Sequence, residues 1–478
     1  MSKNSAELPI KDIVKDEDIY PRRTESPKTI EAYTEALKAG AKFPPILVQR
    51  ISTKDGKEYT IFLDGLHRTK AYEKTGKKSI EAEYWKREVL NKEEWLTQLQ
   101  LESAKRNAAH GDRLGTEDKK YQARKICEKN PNITEQEIAD ALEVSQQTVS
   151  SWVSDIKLRQ KAEHQAIIYR LRSLGWTQGE VAEKVKLTQQ AVSEKIQNLP
   201  ELVKLVKSLL ERGETVEQVA EKLKIDVILA WAMVLDGKDD LERFSKFGEG
   251  GYQNERPQIY NVWNFTGKDP RLGLEVPGNI PGQIAMNVIY YYTKQGDLVV
   301  DPMAGGGSTI DTCLVMDRKC RAYDINPREG REDIIKHNIM SGYPKECKGC
   351  DLIFLDPPYW NLQVGKYAKE SISEVSLEEW LRFMKKLIKD SYETVKKGGH
   401  VALIVEAMVD ERGTREFHDL PFMCMKFFEE AGFKEIHRIS VPVSTQVKSH
   451  HDVEYAKKNK IVLDVNRDLI IYKKEQNG

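Results

Sequence analysis

The sequence has no apolar run long enough to cross a membrane, and its opening, from Met1, Ser2, Lys3 and Asn4 to Leu8 and Pro9, holds no hydrophobic stretch of the signal-peptide kind. Neither export nor a membrane location is expected, and a cytoplasmic one follows. Cysteine is scarce: six residues scattered through 478, which in a chain of this size points to reduced thiols and not to a disulfide framework. Cys347 and Cys350 form the only close pair. Zinc would need two further ligands at sensible spacing and none lies nearby, so the pair reads as a loop before a strand and no metal is expected. Excess charge is missing too, since Lys plus Arg and Asp plus Glu both total 75 and are evenly spread. No basic tail or block announces nucleic acid, and a case for that partner has to rest on motifs.

What is present is the composition of a soluble globular protein, 40% apolar and 31% charged, at a length that implies more than one core. The first hundred residues carry two β-like runs, residues 45–51 and 59–63, around a Lys54-Asp55-Gly56-Lys57 turn of hairpin type, with helical patterns on either side. Next, Asp64-Gly65-Leu66-His67-Arg68 places a glycine turn and a basic pair at the start of a helix, a geometry suited to an anion. The same residues read equally as a helix-capping turn with a surface arginine. With Tyr20-Pro21-Arg22-Arg23 and Pro44-Pro45-Ile46, this stretch resembles the ParB/sulfiredoxin-like N-terminal domain. Members of that family place Gly-Glu-Arg-Arg where this chain has Gly65-Leu66-His67-Arg68, a departure at the residues on which nucleotide-triphosphate binding or nuclease activity would rest.

The middle of the chain repeats itself. Thr134-Glu135-Gln136-Glu137-Ile138-Ala139 leads to Gln146-Gln147-Thr148-Val149-Ser150, and Thr177-Gln178-Gly179-Glu180-Val181-Ala182 leads in the same register to Gln189-Gln190-Ala191-Val192-Ser193. A degenerate third copy runs from Thr215 through Val219 and Ala220 to Trp231, with Asp226-Val227-Ile228 in place of the polar pair, and is expected to be structural. Each copy reads as a capped helix, a short turn and a second capped helix, the helix-turn-helix pattern. Ala139 and Ala182 would be small because helices cross there. Gln146, Gln147 and Ser150, and Gln189, Gln190 and Ser193, would open the second helices, where such side chains reach base edges in a major groove. A role as plain helical packing stays open, because few basic residues lie nearby to meet phosphates. The glycine-rich stretch of residues 247–254 reads as a linker.

From Leu298 short apolar strands alternate with helices, the pattern of a doubly wound sheet. Leu298-Val299-Val300 ends in Asp301-Pro302-Met303-Ala304-Gly305-Gly306-Gly307-Ser308-Thr309, and glycines there let a backbone approach a ligand closely. Arg321-Ala322-Tyr323 ends in Asp324, placed as a carboxylate that accepts hydrogen bonds from ribose hydroxyls. Dinucleotide enzymes share this pair. The discriminating element is Asp351-Leu352-Ile353-Phe354-Leu355 followed by Asp356-Pro357-Pro358-Tyr359-Trp360. Over residues 257–478 the chain resembles the amino methyltransferases of DNA, whose cofactor loop is Asp-Pro-Phe-x-Gly-x-Gly and whose catalytic box is Asp-Pro-Pro-Tyr; Met303 stands at the usual Phe.

That resemblance implies S-adenosyl-L-methionine held by Asp301, Met303, Ala304, Gly305, Gly306, Gly307, Ser308, Thr309 and Asp324, with Pro281 near the cofactor methionine and Asn338 capping a short strand near the adenine ring. It implies catalysis by Asp356, Pro357, Pro358 and Tyr359. The chemistry accounts for these residue types. An aromatic amine is a poor nucleophile because its lone pair is delocalised, so the nitrogen has to be stabilised as it becomes pyramidal. Asp356 could accept one amino hydrogen and the Pro357 carbonyl the other, while prolines fix the turn and donate no competing N–H. Tyr359 would stack on a base rotated out of the duplex. No cysteine nucleophile is needed.

The resulting expectation is a multidomain chain: an α+β ParB-like domain over 1–105, an all-α helix-turn-helix region over 106–245, a linker over 246–256, and an α/β Rossmann-like class I methyltransferase domain over 257–478. Only about thirty residues separate Asp324 from Asp356, too few for a recognition domain. Recognition is therefore assigned to the helix-turn-helix copies and the ParB-like domain, with residues 366–374 as a loop over the base. Asp at the head of the box favours adenine N6 over cytosine N4, where Ser is more frequent. A ParB-like DNA-binding or regulatory protein with an inactive methyltransferase fold is the reading from another class. Double-stranded DNA is the expected partner; a homodimer, and a restriction-modification setting, are left open.

Overall fold

The computed structural model describes the chain except residues 1–4, 23–24, 110–113, 250–255, 266, 277–278, 359, 361–371, 373–374, 410–415, 443–449, 461, 464 and 476–478. Contacts divide it into two compact units, Met1–Lys161 and Ala162–Gly478.

In the first unit six short strands form one sheet: β1 (Ser5–Pro9), β2 (Ile13–Val14), β3 (Ile46–Ser52), β4 (Glu58–Asp64), β5 (Ser79–Tyr84) and β6 (Leu90–Asn91). The order is β1-β5-β3-β4-β2, with β6 on β3. β3 and β4 are the expected hairpin, antiparallel, closed by the Thr53 N–H donating to the Lys57 carbonyl at 3.0 Å with Gly56 at φ 77°. Ile46, Val48, Phe62 and Ile80 fill one side of the sheet. Behind it, helices Lys92–Ala109, Thr116–Lys129 and Glu135–Leu142 and the start of Gln146–Ser173 enclose a second core of Ile126, Ile138, Leu142, Val149 and Val153.

The helical repeat is present three times, and the register is kept residue for residue. Helices Glu135–Leu142, Gln178–Lys184 and Val216–Leu223 each begin with a capping box, Thr134/Glu137, Thr177/Glu180 and Thr215/Gln218. Such a cap contributes about 1 kcal/mol by satisfying N–H groups that a helix start leaves over. Nine residues after each threonine a non-glycine residue turns left-handed: Glu143 at φ 52°, Lys186 at 55°, Lys224 at 51°. Three residues on, the second helices open as Gln146–Ser173, Gln189–Gln197 and Val227–Val234. Ala139, Ala182 and Ala220 are buried at equivalent places, consistent with close helix crossing. The third copy buries most of its second helix, including Ile228, Trp231 and Met233.

The second unit is built on a seven-stranded sheet: β7 (Leu298–Asp301), β8 (Lys319–Asp324), β9 (Ile334–Lys336), β10 (Cys350–Leu355), β11 (Val395–Val405), β14 (Phe433–Ser440) and β15 (Asp468–Lys474); a small hairpin, β12 (Met408–Val409) and β13 (Phe417–His418), stands beside it. The order is β14-β15-β11-β10-β7-β8-β9, parallel from β11 to β9, with β15 antiparallel to both its neighbours. One face is covered by helices Leu377–Thr394 and Leu420–Ala431 through Trp380, Phe383, Leu387 and Phe428.

The opposite face forms one continuous core that joins Val299, Ile310 and Leu314 to Leu171, Val181, Val192, Val219, Ile228 and Met233. The second and third helical copies thus belong to the sheet unit, and the division falls at 161/162 instead of at 105/106 and 256/257. Fully burying such side chains stabilises by about 1.5–3 kcal/mol each, which outweighs any compositional boundary. Of the stretch read as a linker, residues 250–255 lie outside the described residues and the first two residues are helical. Phe247 and Gly248 end the helix Asp240–Gly248, where the Phe247 ring packs edge-on against Trp231 and under the Arg271 guanidinium, 3.9 Å from the ring centre.

Candidate active site

β7 lies between β8 and β10, so the chain order reverses there, and a reversal in a parallel sheet opens a crevice at the carboxyl ends of the two strands. Pairing of Val300 with Ile353 sets Asp301 level with Phe354, two residues before Asp356. β8 pairs with β7 on the other side and ends in Asp324. Three sequence-predicted carboxylates are therefore brought to one end of three adjacent strands. Burial, and then the nearby carboxylates of Asp356 and Asp324, push the Asp301 carboxyl up to about 7. Hydrogen bonds from Thr309 and from the Met303 N–H, the latter at 3.0 Å, act in the opposite sense.

The turn after β7 is tied down at each residue. The Ala304 N–H donates to the Tyr323 carbonyl at 2.8 Å, the Gly305 N–H to Asp324 Oδ2 at 2.9 Å, and the Gly307 N–H to the Ala304 carbonyl at 2.7 Å. Asp324 also accepts from the Asn326 N–H at 2.8 Å through Oδ1. A carboxylate has about four lone-pair sites, so about two remain for a ribose. The glycines divide by role. Gly305 takes φ 52°, and a Cβ there would meet only the Val276 side chain, at 3.9 Å, an ordinary contact distance, whereas a Cβ on Gly306 would strike the Leu274 carbonyl and one on Gly307 the Arg331 guanidinium. Gly305 is thus accounted for by its left-handed backbone and not by crowding; the other two are small because the protein's own chain lies against the turn. Met303 is half-buried and Ala304 buried. Ser308 and Thr309 open the buried helix Ser308–Val315, Ser308 under Gly273 and Thr309 bonded to Asp301.

The turn after β10 holds Asp356 and Pro358 half-buried and Pro357 buried. Trp380, wholly buried on helix Leu377–Thr394, donates its indole N–H to the Pro358 carbonyl at 3.1 Å, and the Trp360 indole does the same to Val375 at 2.9 Å while standing edge-on to His418. Trp380 and Arg331 are site residues that sequence reasoning missed. Their partners lie 22 and 24 positions away and no local pattern marks them. Tyr359 lies outside the described residues, as do all of residues 366–374 except Ile372.

Pro281 is the N-cap of the helix Gly282–Tyr292, and Pro277 and Gly278 lie outside the described residues. Asn338 is exposed and caps the 3-10 turn Ile339–Ser341, accepting from the Met340 N–H at 3.0 Å; it does not cap a strand. Cys347 and Cys350 are both buried, the former donating to the Tyr323 hydroxyl at 3.3 Å, and among the described residues no group of His, Cys, Asp or Glu could hold a metal.

At the helical copies, Gln146, Gln147, Gln189 and Gln190 are exposed, and Ser150 and Ser193 half-buried one turn on. Basic side chains near the first copy are engaged: Arg124 grips Asp155 through two bonds of 2.6 and 2.7 Å. In the sheet of the first unit the Gly65 turn favours the capping reading. Arg68 is held by Asp64 at 2.6 Å and by the Pro44 and Pro45 carbonyls, and His67 is buried, accepting from the Ser26 N–H at 3.1 Å.

Comparison with known proteins gives two family matches. Residues 70–336 match the DNA methylase family of N6/N4 type, a span that includes the glycine turn and Asp324 and stops before Asp356, and residues 1–99 match the ParB N-terminal domain. No curated protein matches. Similar solved structures include TrmN from Thermus thermophilus (14% identity, 41% of this chain and 49% of that one, TM-score 0.26). A putative DNA modification methylase, also from Thermus thermophilus and complexed with S-adenosyl-L-methionine, follows (15%, 29% and 50%, 0.21). An S-adenosylmethionine-dependent methyltransferase from Methanosarcina mazei is a third (12%, 40% and 98%, 0.28). The chain spans about half the length of the first two. Among the described residues no helix is long and apolar enough to cross a membrane.

Proposed function

Because the chain belongs to the DNA methylase family, matched over more than half its length, we propose that it transfers a methyl group from S-adenosylmethionine to the exocyclic amino nitrogen of a DNA base, adenine N6 in preference to cytosine N4. The observation that carries this reading is the convergence of Asp301, Asp324 and Asp356 at the reversal of the sheet, beside the glycine turn. A buried carboxyl raised by its burial and by two neighbouring carboxylates suits a cationic ligand, and S-adenosylmethionine carries a sulfonium and an ammonium. Asp324 would take the ribose, Asp301 and the Met303–Gly305 backbone the remainder. When bound, the cofactor supplies an electrophilic methyl group.

The protein's own part is to orient the amine and relieve its positive charge. Asp356 accepts one amino hydrogen and draws off charge as the nitrogen becomes tetrahedral, and the Pro357 carbonyl accepts the second. The Trp380 indole, by holding Pro358, keeps the turn in one orientation, which matters because small misplacements in such reactions are costly. Tyr359 stacks on the extruded base. Gln146 and Gln147 of the first copy and Gln189 and Gln190 of the second, with Ser150 and Ser193, read the duplex from exposed helix starts.

Incubation of the full chain with labelled S-adenosylmethionine and duplex DNA, then nucleoside analysis, tests the reading: labelled N6-methyl-2′-deoxyadenosine is expected. N4-methylcytosine would change the target base, and an unlabelled duplex in the presence of bound cofactor would leave the protein a DNA-binding factor. Gln189→Ala with Gln190→Ala is expected to weaken duplex binding by roughly 1–3 kcal/mol per lost base contact, and an unchanged footprint would remove the second copy from the interface.

A further inference from the structure

We propose that Arg170 is a positioning residue for the cofactor turn, joining the helical copies to the backbone of Gly306 and Gly307. Arg170 sits near the end of helix Gln146–Ser173 and spends its guanidinium on three carboxylates. Nε donates to Asp333 at 2.7 Å, Nη1 to Asp226 at 2.7 Å, and Nη2 to Asp311. Asp226 is the N-cap of the third copy's second helix. Asp311 lies on the helix that follows the glycine turn.

Two arms run from this arginine to the turn. In one, Asp311 and Asp333 hold Arg331 at 2.9 and 3.0 Å, and Arg331 Nη2 donates to the Gly307 carbonyl at 3.1 Å. In the other, Asp311 Oδ2 accepts from the Gly273 N–H at 2.8 Å, and the next residue, Leu274, donates its N–H to the Gly306 carbonyl at 2.9 Å. Two cations and three carboxylates therefore end on consecutive peptide groups of the site. Burial alone would raise the Asp333 carboxyl, yet Arg170 and Arg331 hold it below the usual carboxylate range.

A buried network of this kind adds little stability over apolar packing, and removing one member strands the rest, so its value lies in geometry. Here the geometry it sets is that of the turn. Arg321 makes a parallel link, from β8 to Glu180 in the second copy at 3.2 Å and to the Gly175 carbonyl, also at 3.2 Å. The second and third copies are thus tied to the elements that carry the turn.

The inference rests on reading that turn as the cofactor site. In the full-length protein, Arg170→Gln is expected to weaken S-adenosylmethionine binding, measured by calorimetry without DNA, roughly tenfold, the usual size of coupling between sites. KM for the cofactor should rise with it while kcat at saturation stays within about twofold. Arg170→Lys, which can keep a charge but not three partners, should recover part of the loss. Should Arg170→Gln fail to fold, Asp226→Asn serves in its place, since Asp226 is the network's solvent-facing end; a two- to threefold weakening is expected, about half a kcal/mol. Folded variants that bind cofactor as tightly as the wild type overturn the proposal. A wild type that binds none overturns the reading of the site itself.

Discussion

Two turns in this molecule are built alike and do different things. β4 ends in Asp64 and turns through Gly65 at φ 101° into a helix; β7 ends in Asp301 and turns through Gly307 at φ 84° into another. At the first, Asp64 neutralises Arg68 at 2.6 Å, Arg68 also binds two proline carbonyls, and Ile46 occupies the space a Cβ on Gly65 would need. Each polar group is spent inside the fold. At the second, Asp301 is driven upward by burial and by two further carboxylates. A strand, an acid and a glycine make a turn; like charges brought together and left for a ligand to balance make a site.

The contrast can be broken at its catalytic end first. Asp356→Ala should lower methyl transfer at least about a thousandfold, the scale of losing a transition-state partner, while cofactor binding persists; Asp64→Ala should leave transfer unchanged. Filter assays of labelled DNA measure both, and equal effects would erase the distinction between the turns. Asp301 gives a smaller, pH-dependent effect. Its folded value, about 7, lies above the unfolded 3.8. Its contribution to apo stability is therefore full at low pH and is lost as pH rises toward and through 7. A cationic ligand prefers the carboxylate, so affinity for S-adenosylmethionine should tighten about tenfold from about pH 6 to about pH 8 with release of a proton. Asp301→Asn should flatten that slope; calorimetry in buffers of different ionisation enthalpy decides.

Much of the architecture was legible because it is written locally. Short runs that lead into Asp301, Asp324 and Asp356 became β7, β8 and β10, and threonine caps at fixed spacing became three helix pairs. What could not be read is carried by contacts far apart in sequence. Arg170 meets Asp311 across 141 residues and Asp333 across 163, and nothing in either neighbourhood announces the other. The glycines show the same limit: that Gly305 is uncrowded and Gly306 is pressed against Leu274 depends on a segment about thirty residues upstream. Residues 247–248 looked like linker by composition, yet a phenylalanine between Trp231 and Arg271 is worth more buried than free.

The gentlest change bears on the first turn. If Arg68 is a strut and not an anion receptor, Arg68→Gln should cost the first unit about 1–3 kcal/mol, since it strips a charged partner from half-buried Asp64 and from two carbonyls. Thermal melting would show this as a fall of a few degrees in the midpoint. The methyl-transfer rate and the affinity for nucleoside triphosphates or inorganic phosphate should stay where they were. A variant that melts like the wild type but loses affinity for such an anion would show that Arg68 lets go of Asp64 to bind it, and the two turns would then both be sites.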